Sequence, residues 1–546
     1  MAFKAKNYRI QNLSTFRLGL NTQQSPDEIQ DEELAYVENF VAENDSLASS
    51  PGYSTWDSDI QAHPGPYLGG YMFAKSDGSM VDVRQRIDKL EYSIMGDGVW
   101  VECTLPTAGS PAATISLTQT QCTFAVLNDI MVWTNGIDTV MSSTDGITWT
   151  LEPTLPISKV VFENAKNRLI YLGQKDSPYQ ISWSGINSPL TIGANSFQLV
   201  DPNNHGKIVG AGLTPEGSTL IFKESGLYNI SDYVDDGIID MNFVGTITCL
   251  NHQSIVTTSN SVIWCGFAAL YEFIGGQVRQ IAGRISWEGE YAINESSGFL
   301  ACAAFYNGKY YLSLPDARIS ELYNAVEFVI DTNLRRDDAL QPYVITRNKR
   351  FFGMYFKETF EFDYGLDDTL YVGDSRSIEL LPTSGSPAVM ENPIFAWLNA
   401  FRSVSSPFYA IEEGLGGYSQ PAEFQTKYFT NDVPFFVKKY KKVFANCKFS
   451  DRLDIMVGYR FDPFEEYTMV TVPVETQQIP WLLEDGNTGN FVEGFGFSQA
   501  SIANIFIDIE NAEKPRGIQF RVKINEIKDV TNFGMAYKYQ VKQNFK

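Results

Sequence analysis

A turn residue followed by a dense apolar run recurs five times along this chain. The runs begin at Asn128 (NDIMVW), Asn167 (NRLIYLG), Gly217 (GSTLIF), Asn260 (NSVIWCG) and Asn307 (NGKYYLS), separated by 39, 50, 43 and 47 residues. A second apolar run follows each: DTVMSS from Asp138, YQISWSG from Tyr179, GLYNIS from Gly226, ALYEFIG from Ala269 and AVEFVID from Ala325. A hairpin repeated every 40 to 50 or so residues is the pattern of a four-stranded β-propeller blade, which must bury both faces against its neighbours. A plain β-sandwich has no reason to keep such a period over five units.

The pattern extends in both directions. Residues Gly69 to Val101 supply another hairpin set, and Arg350 to Leu380 complete or supplement the ring, so the count is six blades, or seven. Residues 1–60 read as an extended arm, 61–380 as the propeller and 381–419, rich in Pro, Ser and Gly, as a linker or long loop. From 420 to 546 the strands lengthen (KKVFANCKF, DIMVGYRF, NIFIDIE, GIQFRVKINEI), which predicts a separate β-sandwich or a sheet on the propeller's side. Aromatic residues make up 14% of the chain and the apolar runs are short, bounded by Asn, Asp, Gly or Ser, so the fold class is all-β. One short helix is expected at Asp31–Phe40 (DEELAYVENF), where Leu34, Val37 and Phe40 would share a face behind an acidic first turn.

Charge and chemistry narrow the function. With 42 Lys+Arg against 65 Asp+Glu the formal charge is −23, which repels the phosphate backbone of DNA and argues against tight sequence-independent binding. The acidic stretches Asp27–Glu33, Asp232–Asp240 and Glu361–Asp368 are candidate surfaces that repel phosphate or, more blandly, solvated loops. Cys103, Cys122, Cys249, Cys265, Cys302 and Cys447 include no CxxC pair, so disulfides are not indicated. The N-terminus lacks the continuous apolar run of a secretory signal, and no stretch of 18 apolar residues occurs, the richest being Ser261–Tyr271. Synthesis in a cytoplasm, without membrane insertion, is the expectation. His63, His205 and His252 are not spaced for shared metal ligation and read as structural or surface residues.

No phosphate-binding GxxxxGK[ST] loop, GxGxxG, HExxH or GxSxG motif is present, and SDGS at Ser76 falls short of an EF-hand. No catalytic, cofactor or metal residue is therefore nominated, and no cofactor is expected. Ser143–Trp149 (STDGITW) resembles the Asp-box of sialidase-type propellers with one residue missing between Asp145 and Gly146. Asp145 and Trp149 are read as a turn and its aromatic plug. The basic cluster Lys438–Lys442 (KKYKK) would touch an acidic neighbour or DNA, or form the exposed face of a strand. The first fifty residues are too poor in apolar side chains to fold alone, yet carry anchors at Phe16, Leu18, Leu20, Ile29, Leu34, Val37 and Phe40. They should order along the propeller or on an adjacent subunit.

Residues Gly19 to Tyr53 resemble the N-terminal arm of a family of tailed-phage structural proteins, the tail hub or nozzle proteins similar to tail tubular protein B. In that family a glycine and LNT precede SP, an acidic turn, a helix ending in Asn and a PGY element. The matching positions here are Gly19, Leu20, Asn21, Thr22, Ser25, Pro26, Asp31, Glu33, Asn39, Pro51, Gly52 and Tyr53, with Ser50 where the family has a basic residue. Asn167–Pro189, Leu220–Ser231, Ala269–Ile285 and Ala301–Asp316 look like that family's blades, and Phe436–Ser450 and Arg516–Ile524 like its C-terminal sandwich strands.

The resemblance implies a virion tail protein, assembled in the host cytoplasm as a ring of six copies around the DNA exit channel. Its partners would be itself, the portal-adaptor or head-completion proteins, tail fibre or other tail proteins, and genomic DNA that passes without tight binding. The rival from another class is a carbohydrate-active virion propeller, a receptor-binding protein or depolymerase, which would place exposed Trp and Tyr beside a carboxylate pair in a cleft. A third reading, a cellular propeller scaffold that binds proteins, fits the arm less well.

Overall fold

The computed structural model describes residues 9–13, 16–43, 46–50, 53–55, 66–94, 99–108, 113–233, 239–287, 295–316, 322–349, 352–362, 365–374, 394–397, 422–430, 438–449, 453–474, 481–482, 488–489, 501–509, 515–524 and 530–541. Seven four-stranded antiparallel sheets follow one another in chain order. Their innermost strands are Tyr67–Ala74, Thr123–Leu127, Ser158–Glu163, Ile208–Leu213, Val256–Thr257, Cys302–Tyr306 and Phe352–Phe362, opening blades 1 to 7. The seventh innermost strand packs on those of blades 6 and 1, which closes the ring.

The recurring Asn and Gly of the repeat have a local cause. Leu127 pairs with Ile130 and Tyr306 with Lys309 across two-residue turns. Asn128 (φ +54°), Asp129 (+57°), Asn307 (+48°) and Gly308 (+73°) fill them. Left-handed φ at both central positions defines the type I′ hairpin, which Asn and Gly tolerate best. Between blades, apolar side chains fill the wedges: Trp133 and Met141 meet Phe73 and Val83, Trp183 and Ile170 meet Ile221 and Ile230, and Trp264 meets Phe222, all buried. Burial of such a side chain stabilises by about 1.5–3 kcal/mol, so the wedges rather than the exposed rims hold the ring.

The seventh blade is composite. It takes Phe352–Phe362 and Gly365–Asp374, then Ile394–Trp397 from the segment expected to be linker, then Tyr53–Thr55 from the expected arm. The 61–380 boundary is thus corrected at both ends, because closing the ring with an early strand ties distant parts of the chain together. The rest of 381–419 lies outside the described residues.

The predicted helix at Asp31–Phe40 is a strand, Glu33–Glu38. It pairs with Ala422–Thr426, Leu34 opposite Thr426 and Tyr36 opposite Gln425, so Ala35 is an extra residue in a β-bulge. The bulge stretches the strand's two-residue repeat to three between Leu34 and Val37, which mimics a helical stripe. The sandwich is not a separate C-terminal unit either. One six-stranded sheet combines Arg9–Leu13, Phe40–Glu43 and Ser46–Ser49 with Val530–Val541, Lys438–Phe449 and Ser501–Asp508. The other combines Gly19–Leu20 and Glu33–Glu38 with Ala422–Thr426, Gln519–Ile524, Leu453–Arg460 and Thr468–Val474. Phe424 receives Phe16 at 5.2 Å and Phe40 at 5.4 Å, ring centre to ring centre. The anchors Phe16, Leu20, Ile29, Leu34, Val37 and Phe40 are fully buried, within this same chain. No helix among the described residues is long and apolar enough to cross a membrane.

Candidate functional site

Two polar constructions stand out, and the first is the junction between arm, sandwich and propeller. The buried Glu33 carboxylate accepts from Arg336 Nη2, from Asn21 Nδ2 at 2.8 Å and from the Gln30 amide at 2.8 Å. Arg336 also donates to the Leu18 carbonyl at 2.6 Å, and Gln341 Nε2 to the Leu20 carbonyl at 3.2 Å. The amides of Thr22 and Gln23 donate to the Arg284 carbonyl, and Thr22 Oγ1 accepts from the Ser286 amide at 2.9 Å. Arg284 is in turn paired with Asp338 at 2.8 Å. Asn39 (φ +59°) donates its amide to the Arg347 carbonyl, and its Oδ1 accepts from the Lys349 amide, each at 3.0 Å. The Pro26 carbonyl accepts from the Tyr428 amide at 2.7 Å.

Gly19, Leu20, Asn21, Thr22, Pro26, Glu33 and Asn39, which carry the resemblance in the arm, thus converge on this junction. Ser25 Oγ donates to Asp27 Oδ1 at 2.7 Å, within the arm itself. Tyr53 opens the outer strand of blade 7, while Pro51 and Gly52 lie outside the described residues. Part of the acidic stretch Asp27–Glu33 is neutralised in place, by Arg336 at Glu33, by Arg17 at Glu32 (2.9 Å) and by Lys427 at Asp31 (3.0 Å). The side chains of Glu361–Asp368, and most of Asp232–Asp240, are outside what is described.

The second construction lies on the propeller's axis. Asn251 leads into a 3-10 turn, His252–Ser254, just ahead of blade 5's inner strand. Asn251 Nδ2 donates to Gln121 Oε1 (2.6 Å) and to the carbonyls of Phe299 and Ala301 (both 2.9 Å). Gln253 Nε2 donates to the carbonyls of Cys122 (3.0 Å) and Leu68 (3.3 Å). The Ala211 amide donates to His252 Nδ1 at 3.4 Å, and Tyr310 OH to the Ser254 carbonyl at 2.7 Å. One turn therefore touches blades 1, 2, 4 and 6 from within blade 5, which is only open to a segment at the centre. A Cβ on Gly210 would come within 2.8 Å of His252 Cα, so the turn's seat requires that glycine. Burial, then the charge of Lys159, lowers the His252 pKa to about 4. The turn closes the axis of the single propeller at the end where the inner strands begin.

The remaining candidates fall out simply. In the Asp-box-like turn, Asp145 Oδ1 accepts from Ser143 Oγ (2.9 Å) and from the amides of Ile147 (2.8 Å) and Thr148 (2.7 Å), and Trp149 is buried. It is a turn and plug packed on blade 1, where Gly146 faces Phe73 and Val83. Lys438–Lys442 divides: Lys438 is buried, donates to the Arg516 carbonyl and has its pKa lowered to about 8 by burial, while exposed Lys442 pairs with Asp508 at 3.3 Å. His205 (φ +61°) stacks on Phe243 at 5.0 Å, and His63 lies outside the described residues. All six cysteines are buried and none forms a disulfide. Among the described residues no three His, Cys, Asp or Glu side chains gather as a metal would require. The axial turn escaped the sequence reading, for which His252 was an isolated histidine.

By its own sheets the chain is a seven-bladed β-propeller carrying a composite β-sandwich. No protein-family model and no curated protein matches the sequence. Among solved structures it is similar to YCF48 from Cyanidioschyzon merolae, at 11% identity over 63% of this chain and 98% of that one, with a TM-score of 0.37. It is also similar to the extracellular domain of a hybrid two-component system from B. thetaiotaomicron, at 10% identity over 83% of this chain and 59% of that one, TM-score 0.40. At these values the likenesses carry no argument about what the chain does.

Proposed function

We propose that the protein is a structural component of a tailed-phage particle, a tail hub or nozzle subunit that assembles as a ring, continues the DNA-ejection channel and docks portal-adaptor and other tail proteins. The observation that supports this reading is the place of the arm residues that resemble the hub family. Seven of them meet at one junction, where Glu33, with Asn21, and Asn39 hold the sandwich against blade 6 and Thr22 holds it against the segment that follows blade 5. A motif spent on rigidity suits a wall that must hold its shape while a genome slides past. The closed propeller axis sharpens the reading: a conduit built from this chain runs between copies, not through a blade ring.

The test is the mass in solution by light scattering, alone and with the portal-adaptor protein of the same particle. A sixfold ring, or a monomer that becomes one on the adaptor, is the expected result. A monomer indifferent to the adaptor overturns the hub reading and turns the work to a glycan-binding screen.

A further inference from the structure

The seams between neighbouring blades are apolar except where blade 7 meets blade 1. Besides the wedges already described, Val132 and Val161 join blades 2 and 3, Cys265 and Leu312 join blades 5 and 6, and Tyr311 and Leu370 join blades 6 and 7, each pair within one buried apolar cluster. Blade 1 turns a different face to blade 7, whose inner strand packs on its own. Side chains alternate along its strands Met80–Arg86 and Lys89–Ile94. Val81 and Val83 point to blade 2, so Asp82, Arg84 and Arg86, with Glu91 opposite Arg84 and Ser93 opposite Asp82, point the other way. All five are buried.

The ion pairs on that face are internal to blade 1. Glu91 accepts from Arg84 Nε at 2.7 Å and from Arg86 Nη2, and the Arg84 guanidinium lies over the rings of Tyr67 (4.9 Å) and Trp100 (3.8 Å), both of the same blade. Parting blade 7 from blade 1 therefore breaks none of these contacts and returns the charges to water, whereas parting an apolar seam exposes hydrocarbon to it. The axial turn singles out the same seam. Its hydrogen bonds reach blades 1, 2, 4 and 6, and among the described residues none reaches blade 7. Blade 3, which it also misses, has apolar seams on both sides. Blade 7 is fastened to blade 6 instead, where Tyr355 OH donates to Glu327 Oε1 at 2.8 Å and lies 2.7 Å from Ser313 Oγ.

We propose that blade 7 is a leaf hinged on blade 6, and that the propeller opens and recloses at its seam with blade 1 while the apolar seams stay shut. The outer strand of blade 7, Tyr53–Thr55, runs on in sequence to the first strand of blade 1, Tyr67–Ala74, so the opened blades stay tethered and reclosure is intramolecular. Such an opening is a sub-global one, confined to the surface that gains hydration when it parts. It is independent of the ring of copies proposed above.

The experiment places a reporter thiol on either face of blade 1 of the full chain and follows its reaction with a thiol reagent by peptide mass spectrometry. Ser93→Cys faces blade 7, and Val83→Cys, on the adjoining strand, faces blade 2. Cys249 and Cys265, buried in the seams on either side of blade 5, are internal standards. The expected result is that the thiol of Ser93→Cys reacts at least about tenfold faster than that of Val83→Cys and than both standards. Adding Arg84→Met/Arg86→Met/Glu91→Leu to Ser93→Cys makes the face apolar and should slow the reaction at least about tenfold without lowering the melting temperature. Two reporters that react equally slowly mean that this seam holds like the others, and two that react equally fast mean that blade 1 frays as a whole; either overturns the proposal. An unchanged rate in the apolar variant overturns it as well, because charge is then not what lets the seam part. The two reporters decide the matter even where the apolar variant fails to fold.

Discussion

Gly19 holds φ at +71°, and a Cβ there would lie 2.5 Å from the Ile345 carbonyl oxygen. Both strain and overlap oppose any side chain, so Gly19→Ala should lower stability by about 2–3 kcal/mol in denaturant unfolding. At the neighbouring Leu18 carbonyl sits Arg336, and Arg336→Ala removes the cation from buried Glu33 and should cost about 3–5 kcal/mol, because the carboxylate stays buried without its countercharge. The double variant Glu33→Gln/Arg336→Ala should recover part of that loss, and a double-mutant cycle measures the coupling. His252 supplies a pH signature. Its pKa falls from 6.5 to about 4 on folding, so the unfolded chain takes up the proton first. Stability is unaffected by this group above pH 6.5 and is lost as the pH falls from 6.5 toward 4. His252→Asn, whose side-chain oxygen can still accept from the Ala211 amide, should flatten the pH dependence of the melting temperature across that window.

At the level of elements, the hairpins were readable because their determinants lie within a few residues. Asn307–Gly308 favours left-handed φ at both turn positions, and the flanking runs CAAFY and KYYLS supply the strands, so turn and pairing agree. The segment Asp31–Phe40 misleads for an equally local reason: a single bulged residue, Ala35, converts a strand's spacing into a helix's. The true partner of that strand, Ala422–Thr426, lies almost four hundred positions away, and no window of sequence contains it. The arm was expected to order along the propeller or on an adjacent subunit; its strands pair with C-terminal strands of the same chain, and its polar side chains bond to blade 6. Deleting residues 1–50 should therefore unfold the sandwich, seen as lost solubility or a melting transition lowered by more than about 10 °C. Removing only residues 1–13 takes away the edge strand Arg9–Leu13, bound along Met535–Tyr539, and should cost far less.

Across the whole molecule, ring closure depends on two devices. Tyr53–Thr55 completes blade 7 from the opposite side of the propeller sequence, and the turn at Asn251–Ser254 ties four other blades to blade 5. Gln253→Ala releases the carbonyls of Leu68 and Cys122, so the Cys122 thiol, which burial holds in its unreactive protonated form, should react with a thiol reagent at least about tenfold faster than in the wild type. An unchanged labelling rate would mean that the wedges alone keep the axis shut. The sequence by itself determined the all-β class, the blade period, the positions of the hairpin turns and the apolar anchors of the arm, since alternation, turn chemistry and side-chain size act over a few residues. Only the tertiary structure decided that the blades number seven, that the arm's strands belong to the sandwich, that Glu33 meets Arg336 and that the axis is closed. Each of those depends on which surfaces meet after the chain has collapsed, and that choice is made by burial and polar satisfaction between residues hundreds of positions apart.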